Sequence, residues 1–306
     1  MRADRDAAKR KYMLLMRQKT VLNLLTQAGH PLSPTVFVKL VFLLRHETVV
    51  RQDPSFYDFL PYKYGPFSFT LYRELAALRQ EGHVAPDENT IALSELTHDP
   101  ADRQATEPAM LVQAAVTDVL RRYGSMHQNS LVHSVYTRYP WYALNSELPE
   151  RNLASVERPR KASPAVYTVG YEGKSVDAFF NDLIKRGIEI VVDVRANPVS
   201  RKYGFSRLRL GEICKRLGLE YRHVPSLGIP GSARADLSDY DSYQRLLDHY
   251  EHTVLPIHPV ETRELGALMR KHPAALLCVE KDVRCCHRSR LASAAAKAAD
   301  LEIVHL

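Results

Sequence analysis

The chain has 306 residues, 45% apolar and 25% charged, a balance that can bury a core and excludes a disordered, collagen-like or disulfide-stapled protein. That is about twice the usual single-domain length, so two domains are expected, and no apolar run approaches the ~20 residues of a membrane span. The 42 basic and 35 acidic side chains leave a net charge of +7, a surplus suited to a polyanionic partner.

The surplus is local. Residues 1–19 hold Arg2, Arg5, Lys9, Arg10, Lys11, Arg17 and Lys19 against Asp4 and Asp6, while Arg195, Arg201, Lys202, Arg207 and Arg209 fall in a stretch without one acid. The amino terminus leads into a mixed helix and lacks a secretory apolar region, so a cytoplasmic protein without a membrane partner is expected. Cys214, Cys278, Cys285 and Cys286 show no pair of C-x-x-C motifs, and reduced thiols are the expectation.

In chain order, an amphipathic helix is predicted over Ala7 to Gln27, with Tyr12, Leu15, Met16, Leu22 and Leu25 on one face and a close at Gly29 and Pro31. A second helix is predicted from Ser33 to Arg45 and a third from Ser68 to Gly82, followed by His83-Val84, a turn at Asp87 to Asn89, and Thr90 to Leu93. Helix, helix, helix and hairpin is a winged-helix order. The stretch FYDFLPYKYGPFSFTLYRELAALRQEGHV, above all its Y-G-P-F-S turn, resembles the winged-helix fragments of bacterial Panacea-type (SocA-like) antitoxins and of defence-associated proteins. Such a domain presents its third helix to the major groove, which implies Ser68, Thr70, Tyr72 and Arg73 as contacts to double-stranded DNA, with Lys11 and Arg17 from the basic first helix. The alternative is that the domain only packs on a protein partner. Ala109 to Tyr123 and Ser130 to Tyr136 read as further helices, with Trp141 as core beside Pro140 and two tyrosines.

Residues 1–146 are thus expected as a mainly α winged-helix and helical domain. The polar, proline-containing run Glu147 to Pro164 reads as a linker, and 165–306 as an α/β domain. Strands over 165–170, 189–194, 220–224, 274–279 and 302–305 alternate with helices over 175–186, 208–217, 242–253, 259–271 and 288–299. That alternation implies an open, mainly parallel sheet, whose ligands collect beyond the carboxyl ends of the strands. The residues placed there are Tyr171, Glu172 and Gly173; Asp193, Arg195, Asn197, Ser200 and Arg201; and Cys278, Glu280, Cys286, His287 and Arg288.

Y-T-V-G-Y-E-G at 167–173, V-D-V-R-A-N-P-x-S-R at 192–201, L-G at 227–228 and C-V-E-K-D-x-x-x-C-H-R at 278–288 resemble the bacterial domain-of-unknown-function family 488, across essentially all of 165–306. The resemblance implies a nucleic-acid-processing component of bacterial conflict systems, among them a DNA glycosylase against base-modified phage DNA.

Glycosidic hydrolysis passes through an oxocarbenium-like state, so it needs a carboxylate and a pocket for an extruded base. Asp193 and Glu280 are the candidate catalytic carboxylates; Arg195, Arg201, Lys202 and Arg288 could hold phosphates. Tyr171, Tyr203 and Phe205 could stack on a base, with Glu172, Asn197, Ser200, Cys286 and His287 lining the pocket. Each has a plain competitor: Asp193 equally reads as a buried ion pair with Arg195 or Arg288, Cys286 as a small residue orienting His287, and Cys278 as core.

Adjacent Cys285, Cys286 and His287 seldom converge on one zinc, so no metal is expected. Without a phosphate-binding loop or dinucleotide fingerprint, no cofactor is expected either. The lead expectation is a DNA glycosylase. Its rivals are a non-enzymatic DNA-binding regulator or antitoxin with a ligand-sensing α/β domain, and a thiol-dependent transferase using Cys286.

Overall fold

The computed structural model describes residues 14–94, 108–150, 156–234 and 239–306. The chain divides into two compact units between Val156 and Glu157.

The first unit is mainly helical. α1 (Met16–Ala28) ends at Gly29, whose φ of 71° is the left-handed conformation that glycine adopts without a Cβ clash. Val21, Leu22, Leu24 and Leu25 are buried, whereas Leu15 and Met16, expected on the apolar face, are exposed at its start. α2 (Pro34–Glu47) is capped by Ser33, whose hydroxyl accepts from Val36 N, and Pro34 sits in the first turn, where a missing N–H does no harm. The run Phe37 to Leu44 is buried throughout, so this helix forms the centre of the unit's core. Within that run Lys39 is almost fully enclosed, its ammonium donating to the Tyr64 carbonyl at 2.5 Å. Burial pushes its pKa down to about 7.

Between α2 and the third helix the sequence marks only the Y-G-P-F-S turn at 64–68, and the stretch Val49 to Phe67 is more regular than that. It forms a short helical turn and the hairpin of β1 (Leu60–Tyr62) and β2 (Gly65–Phe67). Gly65 is needed there, because its φ is 91° and a Cβ would come within 2.6 Å of the Tyr136 ring. α3 (Phe69–Gln80) follows, and single bridges then join Leu32 to Ile91 and Val84 to Leu93. α4 (Met110–Tyr123) and α5 (Gln128–Arg138) complete the packing, with Trp141 against the same core.

The second unit is α/β. β3 (Val166–Gly170), β4 (Ile190–Asp193), β5 (Glu220–His223), β6 (Ala274–Cys278) and β7 (Ile303–His305) form a parallel sheet in the order β5-β4-β6-β3-β7. β3, β4 and β6 are buried along their whole length, which is why they read as continuous apolar runs. The flanking helices are α6 (Val176–Lys185), α7 (Arg207–Leu217), α8 (Tyr240–Thr253), α9 (Pro259–Lys271) and α10 (Arg288–Ala299).

The stretch expected as a linker is shared between the two units. Glu147 N donates to the Lys63 carbonyl in the first, while Ala162 N donates to the Gly187 carbonyl in the second. Among the described residues, no helix is long and apolar enough to cross a membrane.

Candidate active site

β4 and β6 are neighbours whose chains leave in opposite directions, β4 toward β5 at one edge and β6 toward β7 at the other. The carboxyl ends of such a pair open a crevice where α/β sheets collect ligands. Asp193 ends β4, and Glu280 lies two residues beyond the end of β6.

The two carboxylates are not equivalent. Asp193 is fully buried, and Arg195 Nε and Nη2 donate to its two oxygens at 2.7 and 2.6 Å. The Tyr221 hydroxyl donates at 2.8 Å and Arg195 N at 3.2 Å. With these contacts filling its lone pairs and no exposed surface, Asp193 forms the buried ion pair with Arg195 that was one of its two expected readings, rather than an open carboxylate. Burial alone would lower the Arg195 pKa, but the hydrogen bonds and charge of Asp193 outweigh it and leave the guanidinium firmly charged. Burial and the same carboxylate raise the Tyr221 pKa. Glu280, by contrast, is half-buried, and its Oε2 accepts from the Cys278 thiol at 3.2 Å.

The loop after β3 is tied to the loop after β6. Glu172 N donates to the Val279 carbonyl and Lys281 N to Glu172 Oε2, both at 2.9 Å. Gly170 permits this approach, since a Cβ there would lie 1.9 Å from the Glu280 carbonyl oxygen. Arg288, at the start of α10, is only 2% exposed and directs Nη1 to the Glu280 carbonyl at 2.5 Å and Nη2 to that of Lys281 at 3.2 Å. Its Nε has no partner, and it forms no ion pair among the described residues. It therefore fixes the Glu280 turn and brings a buried cation to it, whose charge helps hold the Asp282 carboxyl down.

Tyr171, expected to stack on a base, is buried and stacks on Phe205 with ring centroids 4.1 Å apart and planes 11° apart. Its hydroxyl accepts from Arg195 Nη1 at 3.2 Å, and its carbonyl accepts from Lys202 Nζ at 3.1 Å. Burial lowers the Lys202 pKa against the opposing charge of Glu172. Ser200 Oγ accepts from Lys202 N at 3.1 Å, which shapes the basic loop. Tyr203 is half-buried, and Asn197 and Arg201 are exposed.

His287 is fully buried, with Nε2 3.0 Å from the Val194 carbonyl and Nδ1 3.7 Å from Cys278 Sγ. Cys286 is also buried, and burial, then Cys278 and Glu280, drives its pKa up. Without a cation at its sulfur, this position therefore holds a thiol rather than a reactive thiolate.

The residues expected to contact DNA differ in exposure. Arg17 is held by the buried Glu74, to which its Nη2 donates at 2.5 Å, and by the Ser55 carbonyl. Ser68 is buried and caps α3, its Oγ accepting from Leu71 N at 3.2 Å, so it has no surface for a groove. Thr70 is half-buried, while Tyr72, stacked on Phe67, and Arg73 are exposed. Lys11 lies outside the described residues.

Three site features escaped the sequence reading. Tyr221 follows from strand periodicity: β5 pairs with β4 in parallel with Tyr221 opposite Val191, two residues before Asp193 and so on the same face, from which its hydroxyl reaches the carboxylate. Cys278 and Glu280 stand two residues apart in an extended segment and so share a face, a signal that setting Cys278 aside as core concealed. Gly170 carries no mark of its close approach in a single sequence.

Comparison with curated proteins and with solved structures yields no match. Residues 175–295, a shorter stretch than the expected 165–306, match the family model described as "Domain of unknown function DUF488".

Proposed function

We propose that the protein is a DNA-acting hydrolase: the first unit holds a duplex, and the α/β unit cleaves the N-glycosidic bond of an everted, base-modified nucleotide to leave an abasic site. The observation that carries this reading is the contrast between the two strand-end carboxylates. Asp193 is consumed by Arg195 and Tyr221, whereas Glu280, beyond the end of the neighbouring strand, is only half-buried, with its turn held by Arg288.

One carboxylate suffices for a glycosidic hydrolysis that ends in an abasic site: it stabilises the developing sugar cation or takes the proton of the attacking water. Glu280 fills that role. Asp193 is a positioning residue that fixes Arg195, and through it the buried Tyr171 that shapes the floor. Exposed Arg201 and the half-buried Lys202 ammonium are suited to the phosphates flanking an extruded nucleotide.

Duplex binding by the first unit draws support from its order of elements. Three helices followed by bridges that pair Leu32 with Ile91 and Val84 with Leu93 resemble a winged-helix succession, into which the turn at Val49–Gln52 and the hairpin of β1 and β2 are inserted before α3. Tyr72 and Arg73 on α3 provide its exposed contacts. The test is incubation of the full chain with unmodified and base-modified phage DNA, followed by alkaline cleavage at abasic sites. Strand breaks confined to modified DNA are expected; their absence from every modified DNA tried overturns the reading.

A further inference from the structure

We propose that Cys278, Cys286 and His287 bind a zinc ion, with the fourth coordination position facing Glu280. Adjacent residues seldom converge on one metal, but here the donors come from two elements: Cys278 from the end of β6, Cys286 and His287 from the entry to α10. Cys285, the third member of the run as read from sequence, is replaced by Cys278.

The ligand atoms of the three residues all lie within 4.8 Å of one another. Cys278 Sγ and His287 Nδ1 are 3.7 Å apart. Tetrahedral zinc with Zn–S of about 2.3 Å and Zn–N of about 2.0–2.1 Å places such atoms roughly 3.6 Å apart. The imidazole is also oriented for the task. Its Nε2 faces the Val194 carbonyl at 3.0 Å, and a carbonyl only accepts, so Nε2 carries the hydrogen and Nδ1 turns its lone pair toward the sulfurs.

All three side chains are at most 1% exposed, so the donors are withheld from competing water. Two thiolates and a neutral imidazole around a divalent ion sum to zero charge. The Glu280 carboxylate lies beside Cys278 Sγ, and the buried Arg288 guanidinium holds the main chain of the same turn. Sulfur and imidazole donors select zinc over magnesium or calcium. With three protein ligands the fourth place takes water, and zinc-bound water ionises near neutrality. The site stands whether or not the glycosidic reading does.

The test uses the full chain, purified with reductant, stripped with a chelator, reloaded with zinc or cobalt(II) and desalted. About one metal per chain is expected, with a cobalt spectrum showing thiolate-to-metal charge transfer and tetrahedral d–d bands. Cys278→Ser, Cys286→Ser and His287→Gln should each weaken zinc binding about tenfold or more, while Cys285→Ser and Glu280→Gln retain it. Because a ligand variant could misfold, the cobalt spectrum of the unaltered chain is read on its own. No retained metal, no charge-transfer band, undiminished binding in a soluble Cys286→Ser chain, or a disulfide between Cys278 and Cys286 in the freshly isolated protein overturns the assignment.

Discussion

Truncation of Asp193 tests the division of labour between the two carboxylates. In Asp193→Ala the Arg195 guanidinium, 4% exposed, loses both donor–acceptor pairs of 2.7 and 2.6 Å and keeps only the Tyr171 hydroxyl at 3.2 Å. Stranding one member of a buried pair costs roughly 3–5 kcal/mol, and the orphaned Tyr221 hydroxyl adds about 1 kcal/mol. The assay exploits the single tryptophan, Trp141, which packs in the first unit and leaves the α/β unit spectroscopically silent in that channel. In urea, tryptophan emission follows the first unit and far-ultraviolet circular dichroism follows both. Asp193→Ala should move the α/β part of the dichroism transition to lower urea and leave the emission transition in place. Adding Arg195→Met removes the stranded charge and should recover more than half of the loss. A loss below about 1 kcal/mol, or a double variant as unstable as the sum of its parts, refutes the buried-pair reasoning.

Other outcomes follow from the same structure. Lys39 has a folded-state pKa near 7 against an ordinary 10.5, so the folded chain binds fewer protons between those values and the stability of the first unit should rise with pH across that window. At about 1.4 kcal/mol per pH unit the rise is at most about 5 kcal/mol; Lys39→Met should abolish the slope, which urea titration of Trp141 emission at a series of pH values measures. Gly170→Ala drives a Cβ into the Glu280 carbonyl and against Arg288 Nη2, so it should cost roughly 1–3 kcal/mol and suppress activity without removing any ionisable group. Arg73→Ala should weaken duplex binding on all sequences alike and lower the slope of log affinity against log salt by about 1, as fluorescence anisotropy at several salt concentrations would show.

The α/β unit was largely legible because parallel strands buried on both faces announce themselves as apolar runs between amphipathic helices, as in Ala274 to Cys278. The hairpin of the first unit was not, because each of its strands has three residues and contains a proline. The run V-D-V-R brings carboxylate and guanidinium together, but whether that pair is open to substrate depends on Tyr221, which arrives from a strand 28 residues away. Likewise the adjacency of Cys285, Cys286 and His287 gives no sign that Cys278 lies beside two of them. The fold brings Cys278 to Cys286 and His287, because the end of β6 and the entry to α10 meet beside Val194.

Abasic-site formation by the unaltered chain and by Glu280→Gln, side by side on one base-modified DNA, tests the central claim most directly. The substitution keeps the size of the side chain and removes its charge. The account predicts abasic sites from the unaltered chain and a loss of at least about a hundredfold in Glu280→Gln at unchanged DNA affinity. Equal yields from both proteins would contradict it.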